Sequence, residues 1–182
     1  FTGITARSLN NAWAVGSYAG GTLIEHWNGT SWSIIPSPSP GSNGSSLNGV
    51  ATISASQIRA AGFYQDTNGS QPLIENWDGT TWSIVPSPPA VRSVYNVLNG
   101  ITALSANNNW AVGYFINASS GIYQTLTEHW NGAVWNVVPS PNMGTGHNRL
   151  TGVTHVPGTN KTWAVGYYNG ATAYQTLIEF YC

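Results

Sequence analysis

The stretch TLIEHWNGTSWSIIPSP begins at Thr22, returns as PLIENWDGTTWSIVPSP from Pro72, and returns again as TLTEHWNGAVWNVVPSP from Thr125. A fourth copy starts at Thr176 as TLIEFYC, with which the sequence ends. Aligned on the glycine after the WAV run, the copies place Gly16, Gly62, Gly113 and Gly166 at steps of 46, 51 and 53 residues. A chain built from near-identical units folds into stacked copies of one supersecondary element, so this period constrains the fold before any composition does. The unit boundaries read as 1–46, 47–97, 98–149 and 150–182, within one domain.

Each unit divides into four short segments rich in β-branched and aromatic residues, separated by Gly, Asn, Ser and Pro. The first is FTGITA, LNGVAT, LNGITA or LTGVTH; the second is WAVGSY, RAAGFY, WAVGYF or WAVGYY. The third is TLIEHW or its variant, and the fourth is SWSIIP, TWSIVP or VWNVVP. No segment has a convincing helical period. Four-stranded units at this spacing predict an all-β fold, a four-bladed β-propeller. A β-solenoid rung is usually shorter, and a sandwich would not repeat so faithfully.

The Asn-Gly or Asp-Gly between the third and fourth segments supplies a tight hairpin. A loop of two or four residues puts Trp27 with Trp32, Trp77 with Trp82, and Trp130 with Trp135 on one face, shared with Glu25, Glu75 and Glu128. Proline cannot donate to a ladder and belongs on sheet edges, so the strand entering Pro-Ser-Pro is outermost. The last unit has no such strand, and Phe1 already begins a first strand. The edge formed by Thr176, Leu177, Ile178, Glu179, Phe180 and Tyr181 is therefore expected to expose unpaired backbone groups to another chain.

Charged residues make up 6% of the 182 and the net charge is −1, against about a quarter charged in ordinary domains. With no basic stripe, nucleic acid is not an expected partner. No apolar run is long enough for membrane insertion. The sequence opens on Phe1 rather than Met, as expected of a processed or trimmed chain. Cys182 is the lone cysteine, so no internal disulfide forms; it is a candidate intermolecular thiol. Five Asn-x-Ser/Thr sequons, at Asn28, Asn43, Asn68, Asn117 and Asn160, are the number chance gives in so Asn-, Ser- and Thr-rich a chain.

The repeated glutamates, Glu25, Glu75, Glu128 and Glu179, occur once per unit at one position. A glycosidase needs two carboxylates with different roles about 5–10 Å apart. Equivalence argues instead for a structural role, accepting hydrogen bonds from backbone or indole N–H groups. His26 and His129 adjoin them, but Asn76 and Phe180 take that place elsewhere, which excludes a four-histidine metal ring. His147 and His155 read as isolated. No metal and no cofactor is expected. Arg59 stands where Trp13, Trp110 and Trp163 open the second strand. It is either a ligand or partner contact peculiar to the second unit or, as favoured here, an arginine laid over an aromatic face. Arg7, Arg59, Arg92 and Arg149 fall at different repeat positions and form no evident cluster. No nucleophile motif or phosphate loop is present, so an enzyme is not expected. Tyr18, Tyr64, Tyr95, Tyr114, Tyr123, Tyr167, Tyr168 and Tyr174 suit glycan binding or protein contact equally.

The hairpin WDGTTW is similar to the Asp-box hairpin of bacterial and viral propellers, but lacks the residue those motifs place between Asp and Gly. The pattern WAVG…TLIEHWNGTSWS…VPSP, through all four units, resembles the repeats of secreted bacterial propeller proteins. It looks like the four-bladed kind that polymerises into extracellular tubular filaments. The resemblance implies a non-catalytic, extracellular structural protein whose partner is a second copy of itself. A lectin-like, glycan-binding propeller with one shallow site per blade is the alternative.

Overall fold

A computed structural model describes residues 1–90, 93–170 and 172–182. The described residues form four antiparallel sheets and no helix. The first holds β1 (Gly3–Ser8), β2 (Asn11–Tyr18), β3 (Gly21–Trp27) and β4 (Trp32–Ile34). The second holds β5 (Ser45–Ser54), β6 (Gln57–Asp66), β7 (Gly69–Trp77) and β8 (Trp82–Val85). The third holds β9 (Asn96–Ser105), β10 (Asn108–Ile116), β11 (Tyr123–Trp130) and β12 (Trp135–Val137). The fourth has three strands, β13 (Asn148–His155), β14 (Thr162–Asn169) and β15 (Tyr174–Tyr181). Strands pair in sequence order within every sheet, and successive sheets pack through β1, β5, β9 and β13. The arrangement is propeller-like, with the Pro-preceding strands β4, β8 and β12 at the far edge.

Each hairpin between the third and fourth strands has a four-residue loop flanked by paired tryptophans, Trp27 with Trp32, Trp77 with Trp82, and Trp130 with Trp135. Its first residue closes the turn. Asn28 Oδ1 accepts the N–H groups of Thr30 and Ser31 at 2.9 and 3.0 Å, and Asp78 Oδ1 those of Thr80 and Thr81 at 2.8 and 2.9 Å. Asn131 serves the third hairpin in the same way. The Thr80 hydroxyl, with these two N–H groups, holds the Asp78 carboxyl down to about 2. The glycine that follows has φ near +100° in all three loops, a conformation that side chains disfavour.

One face of each sheet packs on the opposite face of the next. From the first sheet, Trp13, Val15 and Ile24 meet Leu47, Ile58, Ala60, Leu73 and Trp82 of the second. Ala61 and Ile74 then meet Leu98, Ile101, Ala111, Leu126 and Trp135, and Trp110 and Val112 meet Leu150, Ala164, Leu177 and Tyr181. The glutamate face of the second, third and fourth units is thus the one turned toward the preceding sheet. Trp13 lies 5.1 Å from Trp77 and 5.6 Å from Trp82, and Trp110 stacks on Tyr181 at 4.9 Å.

The Leu-Asn-Gly tripeptide has a role the sequence does not announce. Its middle residue is the extra one of a β-bulge, since Leu47 pairs Gly62 while Gly49 pairs Ala61, leaving Asn48 over. Bulging aims the side chain at the neighbouring sheet, where Asn48 Nδ2 donates to the Leu98 carbonyl at 2.8 Å. Asn99 does the same to Leu150 at 2.7 Å, and the Thr2 hydroxyl to Leu47 at 2.5 Å. Replacing Asn99 with Ala is expected to cost about 1–2 kcal/mol, because a partly buried carbonyl loses its donor. Denaturant unfolding would measure it, and a change inside error would show that the contact holds nothing.

Among the described residues, no packing of β13, β14 or β15 on the first sheet matches that between successive sheets.

Candidate functional site

The four glutamates face different neighbours, so no two share a site. Glu128 Oε2 accepts from the Ser87 hydroxyl at 2.5 Å, and Glu179 Oε2 from the Ser140 hydroxyl at 2.6 Å. Both serines belong to the Pro-Ser-Pro segment of the preceding unit. Only these two of the four accept a hydrogen bond among the described residues, Glu128 from a hydroxyl of the unit before and Glu179 from such a hydroxyl and from Tyr181, not from the expected backbone and indole N–H groups. The indole nitrogens of Trp82, Trp110 and Trp135 are buried without partners. Among the described residues Glu75 has no donor on either oxygen, and the corresponding serine, Ser37, bonds Thr22 instead at 2.8 Å. Burial pushes the carboxyls of Glu75 and Glu128 up to about 8, so both are largely protonated at neutral pH. Glu25 lines an open hollow of about 530 Å³ with Phe1, Ile4, Ala14 and Trp32, on the free face of the first sheet.

Arg59 is 3% exposed, with its guanidinium 4.3 Å above the Trp130 ring and 5.8 Å from Trp135. It fills the place that Trp13 fills against Trp77 and Trp82. The residue behind it changes in step. His26 stacks on Trp13 and His129 on Trp110, whereas Asn76 Oδ1 accepts a hydrogen bond from Arg59 Nε at 3.4 Å. Arg92 lies outside the described residues.

Of the candidate edge, Leu177, Glu179 and Tyr181 turn inward and are buried, while Ile178 and Phe180 turn outward. Tyr181 replaces the tryptophan that ends β3, β7 and β11; its hydroxyl donates to Glu179 and bonds Thr127 and Ser140. Cys182 is exposed, with a free thiol.

The two end faces are apolar and uncovered. Ile178 is 64% exposed, where its equivalents Ile24 and Ile74 are at most 1%. Val165 is 47% exposed, against 0% for Val15 and Val112. Trp163 and Phe180 stand beside them, their rings tilted against each other at 4.8 Å. On the free face of the first sheet, Ile4 is 69% exposed against 7% for Ile101, and Trp32 is 42% against 5% for Trp82. These are the two halves of the contact made between every pair of successive sheets.

His147 is not isolated, as its sequence context suggests. It sits with Tyr123, Arg149, Tyr167, Asn169 and Tyr174 around a cavity of about 260 Å³ between the third and fourth sheets. The tyrosines do not build four equivalent sites, because Arg149 aligns with Ser46 and Val97 in the units before it. Among the described residues, no three His, Cys, Asp or Glu side chains cluster as metal ligands. No helix is long and apolar enough to cross a membrane.

No family model matches the chain, and no curated protein matches it. A solved fucose lectin from Kordia zhangzhouensis, in complex with methyl-fucoside, is similar over 77% of this chain and 99% of its own, at 15% identity and a TM-score of 0.46. A likeness that distant carries no argument about function.

Proposed function

We propose that the chain is a non-catalytic structural module that self-associates head to tail, extracellular as the repeat resemblance implies. In this reading the free face of the fourth sheet seats on the free face of the first sheet of a second copy, completing or extending the propeller. The observation that carries it is the exposure of Trp163, Val165 and Ile178 at positions whose counterparts are buried against the next unit. The receiving face offers Ile4, Trp32 and the open hollow beside Glu25. Thr151 supplies a further half-contact. Its hydroxyl bonds the Val165 carbonyl at 3.2 Å, as Thr2 bonds Val15, but Thr2 also reaches the leucine carbonyl of the next sheet. Few charges on either face means little desolvation cost when they meet. Head-to-tail contact of identical chains gives a closed ring or an open helix according to whether the rotation closes. The uncovered backbone of β15 is a second surface for the same partner.

Sedimentation velocity across a concentration series tests this. The expected result is reversible association with a dissociation constant at or below roughly 10 µM, and rings or filaments by negative-stain microscopy. The pair Val165→Asp and Ile178→Asp is expected to weaken association at least about tenfold without unfolding the chain, because both side chains already face solvent. A chain that stays monomeric at roughly 200 µM would overturn the proposal.

A further inference from the structure

The cavity around Arg149 and His147 is lined by residues that do not recur at the equivalent positions of the second and third units, so repetition does not explain it. Side chains that the fold needs recur in each unit. Here the register sets Arg149 opposite Tyr167 where the second sheet has Ser46 opposite Phe63 and the third has Val97 opposite Tyr114. His147 falls where Gly44 and Tyr95 stand. Two residues with cationic or strong donor chemistry have entered one unit of a chain that holds only five Lys and Arg in all.

Their geometry is ordered. The Arg149 guanidinium lies 4.0 Å over the Tyr123 ring and 4.5 Å over that of Tyr114, which fixes its plane against the third sheet. Unlike Arg59, which is sealed between sheets, Arg149 is half-buried and lines open space. None of the six acidic residues, Glu25, Asp66, Glu75, Asp78, Glu128 and Glu179, lines that space, so nothing there neutralises the charge. His147 Nδ1 accepts the Tyr123 N–H at 3.0 Å, so the neutral ring carries its proton on Nε2. Asn169 backs the cavity, its backbone N–H held by the His147 carbonyl at 2.8 Å. Tyr167 and Tyr174 meet edge to face at 5.2 Å and form an aromatic wall.

We infer that this cavity binds a carboxylate-bearing pyranose, a hexuronate residue of a glycan. A planar guanidinium fork is the side chain best matched to a carboxylate. The His147 Nε2–H adds a donor, and the tyrosines an apolar face with polar tips for the ring. The volume suits one sugar residue and is too small for a larger ligand to bury itself. Arg149 and Tyr123 join the site to the third sheet, while Tyr167 and Tyr174 share by strand alternation the face of Val165 and Ile178.

Isothermal titration of the full chain with methyl glucuronide and methyl galacturonide is the test, with methyl glucoside, the methyl ester of methyl glucuronide, and acetate alongside. One of the two uronides is expected to bind with a dissociation constant below about 5 mM, and the glucoside, ester and acetate at least about tenfold more weakly. Arg149→Gln is expected to lose at least about tenfold while keeping the wild-type melting temperature. If that variant does not fold, the acid-against-ester comparison on the wild-type chain decides alone. Three results would overturn the inference: no binding of either uronide at roughly 20 mM, equal binding of acid and ester, or acetate binding as tightly as the sugars.

Discussion

Gly113→Ala is expected to destabilise the chain by more than about 3 kcal/mol, a large part of the 5–15 kcal/mol that holds an ordinary domain together. A Cβ at this position would lie 1.9 Å from the Val97 carbonyl oxygen and 2.9 Å from the Leu98 Cα. Both are backbone atoms of the paired strand, so no rotamer change relieves the overlap. The cause is the bulge. Gly113 pairs Leu98 while Val112 pairs Gly100, and the extra residue, Asn99, bends β9 across the glycine. Gly62 and Gly166 meet Ser46 and Arg149 carbonyls at the same 1.9 Å. This is the physical reason that the WAV run ends in glycine. Separating the strands far enough for a methyl group would also pull Asn99 from the Leu150 carbonyl and so loosen two sheets at once. Gly121→Ala is the control. Its φ of 68° makes a side chain unfavourable, but nothing lies within 4 Å, so its cost is about 1–2 kcal/mol. Urea unfolding followed by tryptophan fluorescence would measure both. A Gly113→Ala loss no larger than the control would refute the account of the bulge.

Stability is expected to fall as pH rises from about 4.5 to 8, which reverses the usual acid side of a protein's pH profile. Burial raises the folded-state carboxyls of Glu75 and Glu128 to about 8, whereas an unfolded glutamate titrates near 4.3. A group raised on folding holds its proton more tightly in the folded state. Its contribution is complete below the unfolded value, is lost through the interval, and is gone above the folded value. Each unit of pH inside that interval costs about 1.4 kcal/mol for each such group. Glu75→Gln, which cannot ionise, is expected to flatten the profile. At pH 8 the variant should exceed the wild type by about 2 kcal/mol or more, while at pH 4.5 the two should differ little. Chemical denaturation at the two pH values would decide, and parallel profiles for variant and wild type would show that Glu75 is charged in the folded chain.

Much of the fold was legible because the unit repeats. Strand order, the four-residue hairpin with its paired tryptophans, the shared face of Glu and Trp, and the three-stranded last sheet all follow from period two, turn chemistry and proline placement. What the sequence hid were contacts between units. A tripeptide such as Leu-Asn-Gly reads as a turn until the bulge turns Asn48 and Asn99 toward a neighbouring carbonyl. The serine of Pro-Ser-Pro reads as linker until it is found beside the next unit's glutamate. The exchange of His for Asn behind Arg59 was visible as a difference, but its meaning needed the register across β6 and β7. Four repeats suggested sheets meeting around an axis, but only exposure at Ile4 and Ile178 reveals that, among the described residues, the first and fourth sheets do not pack as successive sheets do. His147 looked isolated because its neighbours come from four strands spread over about fifty residues of sequence.

The stacked sheets touch only their immediate neighbours, each offering the same pair of surfaces front and back. Nothing inside a unit counts how many others there are. A gene encoding such a chain could gain or drop a middle copy, as a ladder can gain or drop a rung, and every joint in the product would still be of a kind already tested by selection.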